Sequence, residues 1–144
     1  MRIESIDECF ENRLLRKIKP DSDKSKKSLE IAKVHLGKAD QTIKVGLFDF
    51  SIIASYNSMF HAARAVLFRD GIQEKSHLCV IIYIKEKYGK KIPSHLINSF
   101  DTHRIERHEI MYGLEFIPTR EDAEATLEDA KEFVSVLENL LKGN

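Results

Sequence analysis

The chain has 144 residues, 42% of them hydrophobic, and its 23 basic residues balance 23 acidic ones. A single domain of that size buries roughly 70% of the surface its unfolded chain exposes, so folding requires neither a metal nor disulfides. Zero net charge excludes steering of a polyanion by total charge and leaves any such contact to local patches.

Cys9 and Cys79 stand far apart in apolar helical contexts, which is expected of buried thiols in a reducing compartment rather than of a disulfide. Residues 1–18 alternate charged with apolar side chains and contain no signal-peptide core, and no apolar run is long enough to span a bilayer. A cytoplasmic protein without membrane contact is expected. Pro20, Pro93 and Pro118 stand between periodic segments, and Gly46, Gly71, Gly89, Gly113 and Gly143 each follow one, where a left-handed helix stop is wanted. Only Gly37 falls inside a segment. The chain therefore divides into helical pieces within one domain, 1–144, with an N-terminal arm over 1–20 and a bundle over 22–142.

The first piece, about Ser5 to Ile18, places Ile6, Phe10 and Leu14 on one face with Cys9 beside them, and is short enough to be a docking arm. Ser22 or Asp23 caps a long second helix reaching about Val45, with Leu29, Ala32, Val34, Leu36, Ala39 and Ile43 turned inward. Lys24, Lys26, Lys27, Lys33, Lys38 and Lys44 are interleaved with them and are expected to form a solvated face. From Asp49, its expected cap, to Gly71 runs a helix that is apolar on nearly all sides and is expected at the centre of the bundle. Ile52, Ile53, Tyr56, Met59, Phe60, Ala63, Val66 and Leu67 make one face, and Phe50, Ala54, Ala65 and Phe68 a second stripe. Ser51, Ser55, Ser58 and Ala62 are left for solvent.

Ser76 to Tyr88 is rich in β-branched residues over 78–84, but its length, the Ser76 cap and the lysines before Gly89 favour a helix, with a buried strand as the alternative. The fifth helix, capped by Ser94, runs to Tyr112. Thr119 with Asp122 is an acidic capping box for the sixth, in which Ala123, Leu127, Ala130, Phe133, Val134, Leu137, Leu140 and Leu141 face inward.

Two sets of polar residues break this pattern. In the fifth helix Arg104, Arg107 and His108 project from the face that Leu96, Ile97, Phe100 and Met111 define. Charge on a buried face is costly unless it is paired or lines a cleft, so these residues make either a structural ion pair or a cationic groove for phosphate. On the central helix Asn57, His61 and Arg64 recur at i, i+4 and i+7 along one edge. There is no Gly-rich phosphate loop, no nucleophile elbow and no His or Cys cluster with zinc spacing, so neither a metal nor a cofactor is expected.

The run SYNSMFHAARAVLF, the turn containing Gly71, Ile72, Lys75, Ser76 and His77, the Arg-bearing fifth helix ending in Tyr112, and EDAEATLEDAKEFVSVL together resemble the HEPN family of small prokaryotic all-helical domains. The resemblance covers about Asp23 to Leu141. It implies an all-α, up-and-down bundle of four to five main helices, here preceded by a short N-terminal helix, and a homodimer. In ribonuclease members an arginine followed four to six residues later by a histidine lies at the dimer groove and cleaves RNA without metal. Carried over, the arginine falls on Arg107, and Tyr112 stands where the histidine would be. A phenol with an ordinary pKa of about 10 is a poor base at neutral pH. The resemblance thus implies binding of RNA or a nucleotide at a dimer groove through Arg107, Arg104, His108 and Tyr112, with Asn57, His61 and Arg64 next in line. It also implies a minimal nucleotidyltransferase (MNT-type) partner in a toxin–antitoxin pair. The alternatives are an active metal-independent ribonuclease toxin, with His108 or Tyr112 replacing the histidine, and a structural dimeric adaptor.

Overall fold

The structure, a computed structural model, describes residues 2–143. In chain order the elements are α1 (Ile6–Glu11), β1 (Leu15–Lys17), α2 (Ser22–Lys44), α3 (Phe48–Asp70), β2 (Ile72–Glu74), α4 (His77–Tyr88), α5 (Ser94–Tyr112) and α6 (Arg120–Lys142). The all-α bundle is as expected, and α3 is its centre, in contact with α2, α4, α5 and α6. Residues 78–84 are helical. Phe100 of α5 is fully buried between Tyr56 of α3 and Phe133 of α6, with ring centroids 5.8 and 4.8 Å away. Truncating such a ring to alanine costs about 3–5 kcal/mol. Among the described residues no helix is long and apolar enough to cross a membrane.

The strip of α3 expected in solvent is instead its seam with α2. Ser51, Ser55, Ser58 and Ala62 are fully buried. Their small size lets α2 lie against the α3 backbone, and hydroxyls on both sides find carbonyls across the gap. Ser51 Oγ donates to the carbonyl of Ala39 at 2.8 Å, and Ser25 and Ser28 of α2 donate to the carbonyls of Ala65 and His61 at 2.7 Å. Phe50 and Val34 are the converse, each 56% exposed although counted as apolar face. The α2 lysines are exposed as expected.

The arm departs most from expectation. Its helix stops after Glu11, and Leu15–Lys17 pairs antiparallel with Ile72–Glu74 in the register Leu15↔Glu74, Arg16↔Gln73, Lys17↔Ile72. Cys9 and Cys79, expected as free thiols, form a disulfide with Cα atoms 5.9 Å apart, because α1 packs on α4 and brings together positions 70 residues apart in sequence. Gly71, in the left-handed region at φ 81°, serves the same junction. Its N–H closes α3, its carbonyl accepts from Ile18 N at 2.9 Å, and a Cβ there would stand 2.7 Å from the Ile18 carbonyl oxygen.

Helix ends follow local hydrogen bonding more closely than residue type. Ser76 and Thr119 cap α4 and α6 as expected, the latter with a full capping box. Asp21 rather than Ser22 or Asp23 caps α2, Leu47 rather than Asp49 precedes α3, and Pro93 rather than Ser94 precedes α5. Gly89, Gly113 and Gly143 have negative φ instead of the left-handed stop. Tyr83 and Tyr88 of α4 donate to Asp70 at the end of α3. His103, buried on α5, bonds Asp129 of α6 through Nε2 at 2.8 Å and Glu106 through Nδ1 at 3.1 Å. These bonds hold α4 and α5 against the core and fix the side chains at their inner ends.

Candidate functional site

The site begins where α5 leaves the core. One turn after Phe100, Arg104 lies half-buried and donates to Asp101 at 3.0 Å. Three residues on, Arg107 is also half-buried, and its guanidinium carbon stands 6.0 Å from the ring centroid of Tyr56. Arg107 Nε is buried with no hydrogen-bond partner. Among the described residues Arg107 forms no ion pair, which sets it apart from Arg104 and Arg64.

Tyr56 connects α3 to the start of α4. Its buried hydroxyl lies 2.8 Å from Nδ1 of His77, the first residue of the Ser76-capped helix. The imidazole is stacked on Phe60, ring centroids 4.0 Å apart and planes 10° apart. Burial pushes the Tyr56 phenol far above its ordinary pKa, against the pull of Arg104 and Arg107, so it stays protonated. Among the described residues the hydroxyl has no other hydrogen-bond partner, and donation to Nδ1 corresponds to the His77 tautomer with its proton on Nε2.

On the next turn of α3, His61 stacks on His35 of α2, centroids 5.4 Å and planes 4° apart, and meets Phe60 edge-on at 5.8 Å. Its Nδ1 is buried without a partner. Arg64 lies over Phe60 and Phe68 at 5.7 and 5.1 Å and donates from Nε to Glu74 of β2 at 2.7 Å. Burial, reinforced by Arg64, His35 and His77, pulls the His61 pKa down to about 4. Burial and the charges of Arg107, Arg104 and Arg64 lower that of His77, and burial with Lys38 lowers that of His35. At neutral pH the face therefore presents three neutral imidazoles among three guanidiniums. Burial accounts for most of these shifts; an anion entering there would offset the part due to the guanidiniums and would stand beside the unpaired Arg107.

Of the residues the sequence singles out, Arg104 and Arg107 turn toward this cluster, and His61 and Arg64 belong to it. Asn57 is half-buried on α3, and no hydrogen bond ties it to the cluster among the described residues. His108 and Tyr112 are exposed, their rings 4.9 Å apart. Five residues on a helix turn about 140° away, so Tyr112 does not share a face with Arg107. Tyr56, Phe60, His77 and His35 were missed as site residues. Tyr56 and Phe60 fit the core stripe, and His77 was marked only by its place directly after a capping serine, in the turn that carries the family resemblance.

The class of protein is a helical bundle whose central helix, α3, carries a buried tyrosine and a half-buried histidine and arginine beside the arginines of α5. The chain belongs to the HEPN family, whose domain matches residues 25–140. No curated protein matches it. The arm, α1 and β1, lies outside the matched span.

Proposed function

We propose that this HEPN domain binds RNA or a nucleotide by phosphate where α3, α4 and α5 meet. Arg107 makes the main phosphate contact, Arg104 and the Nε2–H of His77 assist, and His108 and Tyr112 form a stacking rim for a base. Asn57, His61 and Arg64 lie along the continuation of that face on α3. The observation that carries this reading is Arg107, a half-buried arginine with an orphaned Nε and, among the described residues, no ion pair. A guanidinium so placed costs stability until an anion pairs with it. By family resemblance the domain acts as a homodimer that completes the groove, with an MNT-type nucleotidyltransferase partner in a toxin–antitoxin pair.

A second reading, cleavage by a metal-independent ribonuclease, is favoured by the exposure of His108 on the turn beside Arg107. The test is fluorescence anisotropy of a labelled RNA across a salt series, with a parallel incubation in EDTA. The expected result is salt-sensitive binding that Arg107→Ala weakens tenfold or more, with RNA intact. Cleavage lost in Arg107→Ala would transfer the conclusion to the ribonuclease. Absence of binding at every salt concentration would overturn both and leave the adaptor.

A further inference from the structure

The arm does more than brace the bundle. With the β1–β2 ribbon it walls a cavity of about 580 Å³, within the range of small-ligand sites. Phe10 and Leu15 give it an apolar floor, and Arg13, Arg16 and Lys75 stand around it. None of these three cations forms an ion pair among the described residues. The one carboxylate in the lining, Glu74, is already engaged by Arg64 at 2.7 Å and Gln73 at 3.1 Å.

Arg13 occupies a position that glycine normally fills. It has φ 58° and forms the left-handed residue of the motif that stops α1, with Leu14 N donating to the Cys9 carbonyl at 2.8 Å and Arg13 N to that of Phe10 at 3.0 Å. A side chain there is strained, so the fold gives no reason for the arginine. Arg64 joins the cavity to the face described above, since it bonds Glu74 and lies over Phe60, on which His77 is stacked. From Tyr56 to Arg64 along α3 is about 12 Å.

We propose that the cavity is a second subsite for the same ligand, taking a further phosphate on Arg13, Arg16 and Lys75 and a base on Phe10. The ligand is then a single-stranded RNA several nucleotides long rather than a mononucleotide. The proposal rests on phosphate binding at Arg107. A cationic rim over an aromatic floor, continuous with a phosphate-binding face, is the arrangement single strands need.

The test measures binding of labelled RNA dinucleotide and octanucleotide to wild type, to Arg16→Ala/Lys75→Ala and to Arg13→Gly. Wild type is expected to prefer the octanucleotide at least tenfold. The double variant loses that preference, keeps dinucleotide affinity, and its octanucleotide salt slope falls by about 0.7 for each phosphate contact removed. Arg13→Gly weakens octanucleotide binding while melting at or above the wild-type temperature, which excludes misfolding as the cause. Equal octanucleotide affinity in all three proteins overturns the subsite, as does a cavity that takes an Asp/Glu-rich peptide in preference to RNA. Dinucleotide binding insensitive to Arg107→Ala would instead reject the primary site, so the two failures are distinguishable.

Discussion

Arg107→Met separates ligand binding from stability. In the free protein the buried, unpartnered Nε–H costs about 1–3 kcal/mol, and methionine removes that donor while keeping an unbranched stem over Tyr56. The substitution gives up a cation–π contact at 6.0 Å, worth about 0.5–1 kcal/mol. The balance runs from neutral to about 2.5 kcal/mol of added stability, and each kcal/mol moves the melting temperature by about 2–4 °C in a domain near this size. The melting temperature is thus expected at the wild-type value or a few degrees above it. Affinity for RNA falls by about 1.5–3 kcal/mol, roughly 10- to 100-fold, because a charge-assisted hydrogen bond is lost. Both quantities can be read from one preparation, by circular dichroism melts and by anisotropy. A melting temperature more than about 4 °C lower, with RNA affinity unchanged, would show that Arg107 is a structural residue and refute the argument from its orphaned nitrogen.

Three further outcomes follow from the same geometry. Stability should peak near pH 6.5 and fall on both sides. His61, held down to about 4, stays neutral as the unfolded chain takes up protons, so stability is lost as pH drops from 6.5 toward 4, by about 2 kcal/mol once partial exposure is allowed for. Burial opposes charge on His103, but the bonds and charges of Glu106 and Asp129 raise its pKa, so its contribution is complete below 6.5 and is lost as pH rises through the folded value. Denaturant midpoints across pH, with His61→Gln flattening the acid limb and His103→Gln the alkaline one, check both signs. Gly37→Ala, at a helical position with open space around the new methyl, should add about 1 kcal/mol, whereas Gly71→Ala should destabilise the fold through its φ of 81° and the Ile18 carbonyl 2.7 Å from the new Cβ. Reduction of Cys9–Cys79, which closes a loop of 70 residues, should lower unfolding free energy by about 4 kcal/mol, measured by urea melts with and without reductant.

The long helices were legible because their apolar residues recur at helical spacing, and α6 shows this most plainly. The arm was not, since β1 and β2 are separated in sequence by all of α2 and α3, and no local pattern reports a pairing between strands of three residues. The serine strip was misassigned for a related reason. A hydroxyl counts as polar in any periodicity, yet Ser51 spends that polarity on the facing backbone of α2 and Ser58 on the Ser55 carbonyl of its own helix. At the site, Arg104 and Arg107 stood out as charge on an apolar face, and His61 and Arg64 as polar residues in register along one edge of the central helix. Tyr56 and Phe60 looked like ordinary core, and His77 like an ordinary first residue of a helix. Their part in the cluster depends on α4 folding back over α3, which spacing along the chain does not encode.

The arm's attachment also sets an order of events during synthesis. Cys9 and β1 leave the ribosome well ahead of β2 and of Cys79, 70 residues later. At translation rates of about 5–20 residues per second the arm waits roughly 4–14 s for its partners. Through that interval β1 is an unpaired edge and Cys9 a thiol whose only partner within the chain has yet to be made. The nascent arm is therefore the stage of synthesis at which pairing between neighbouring chains competes with the native fold.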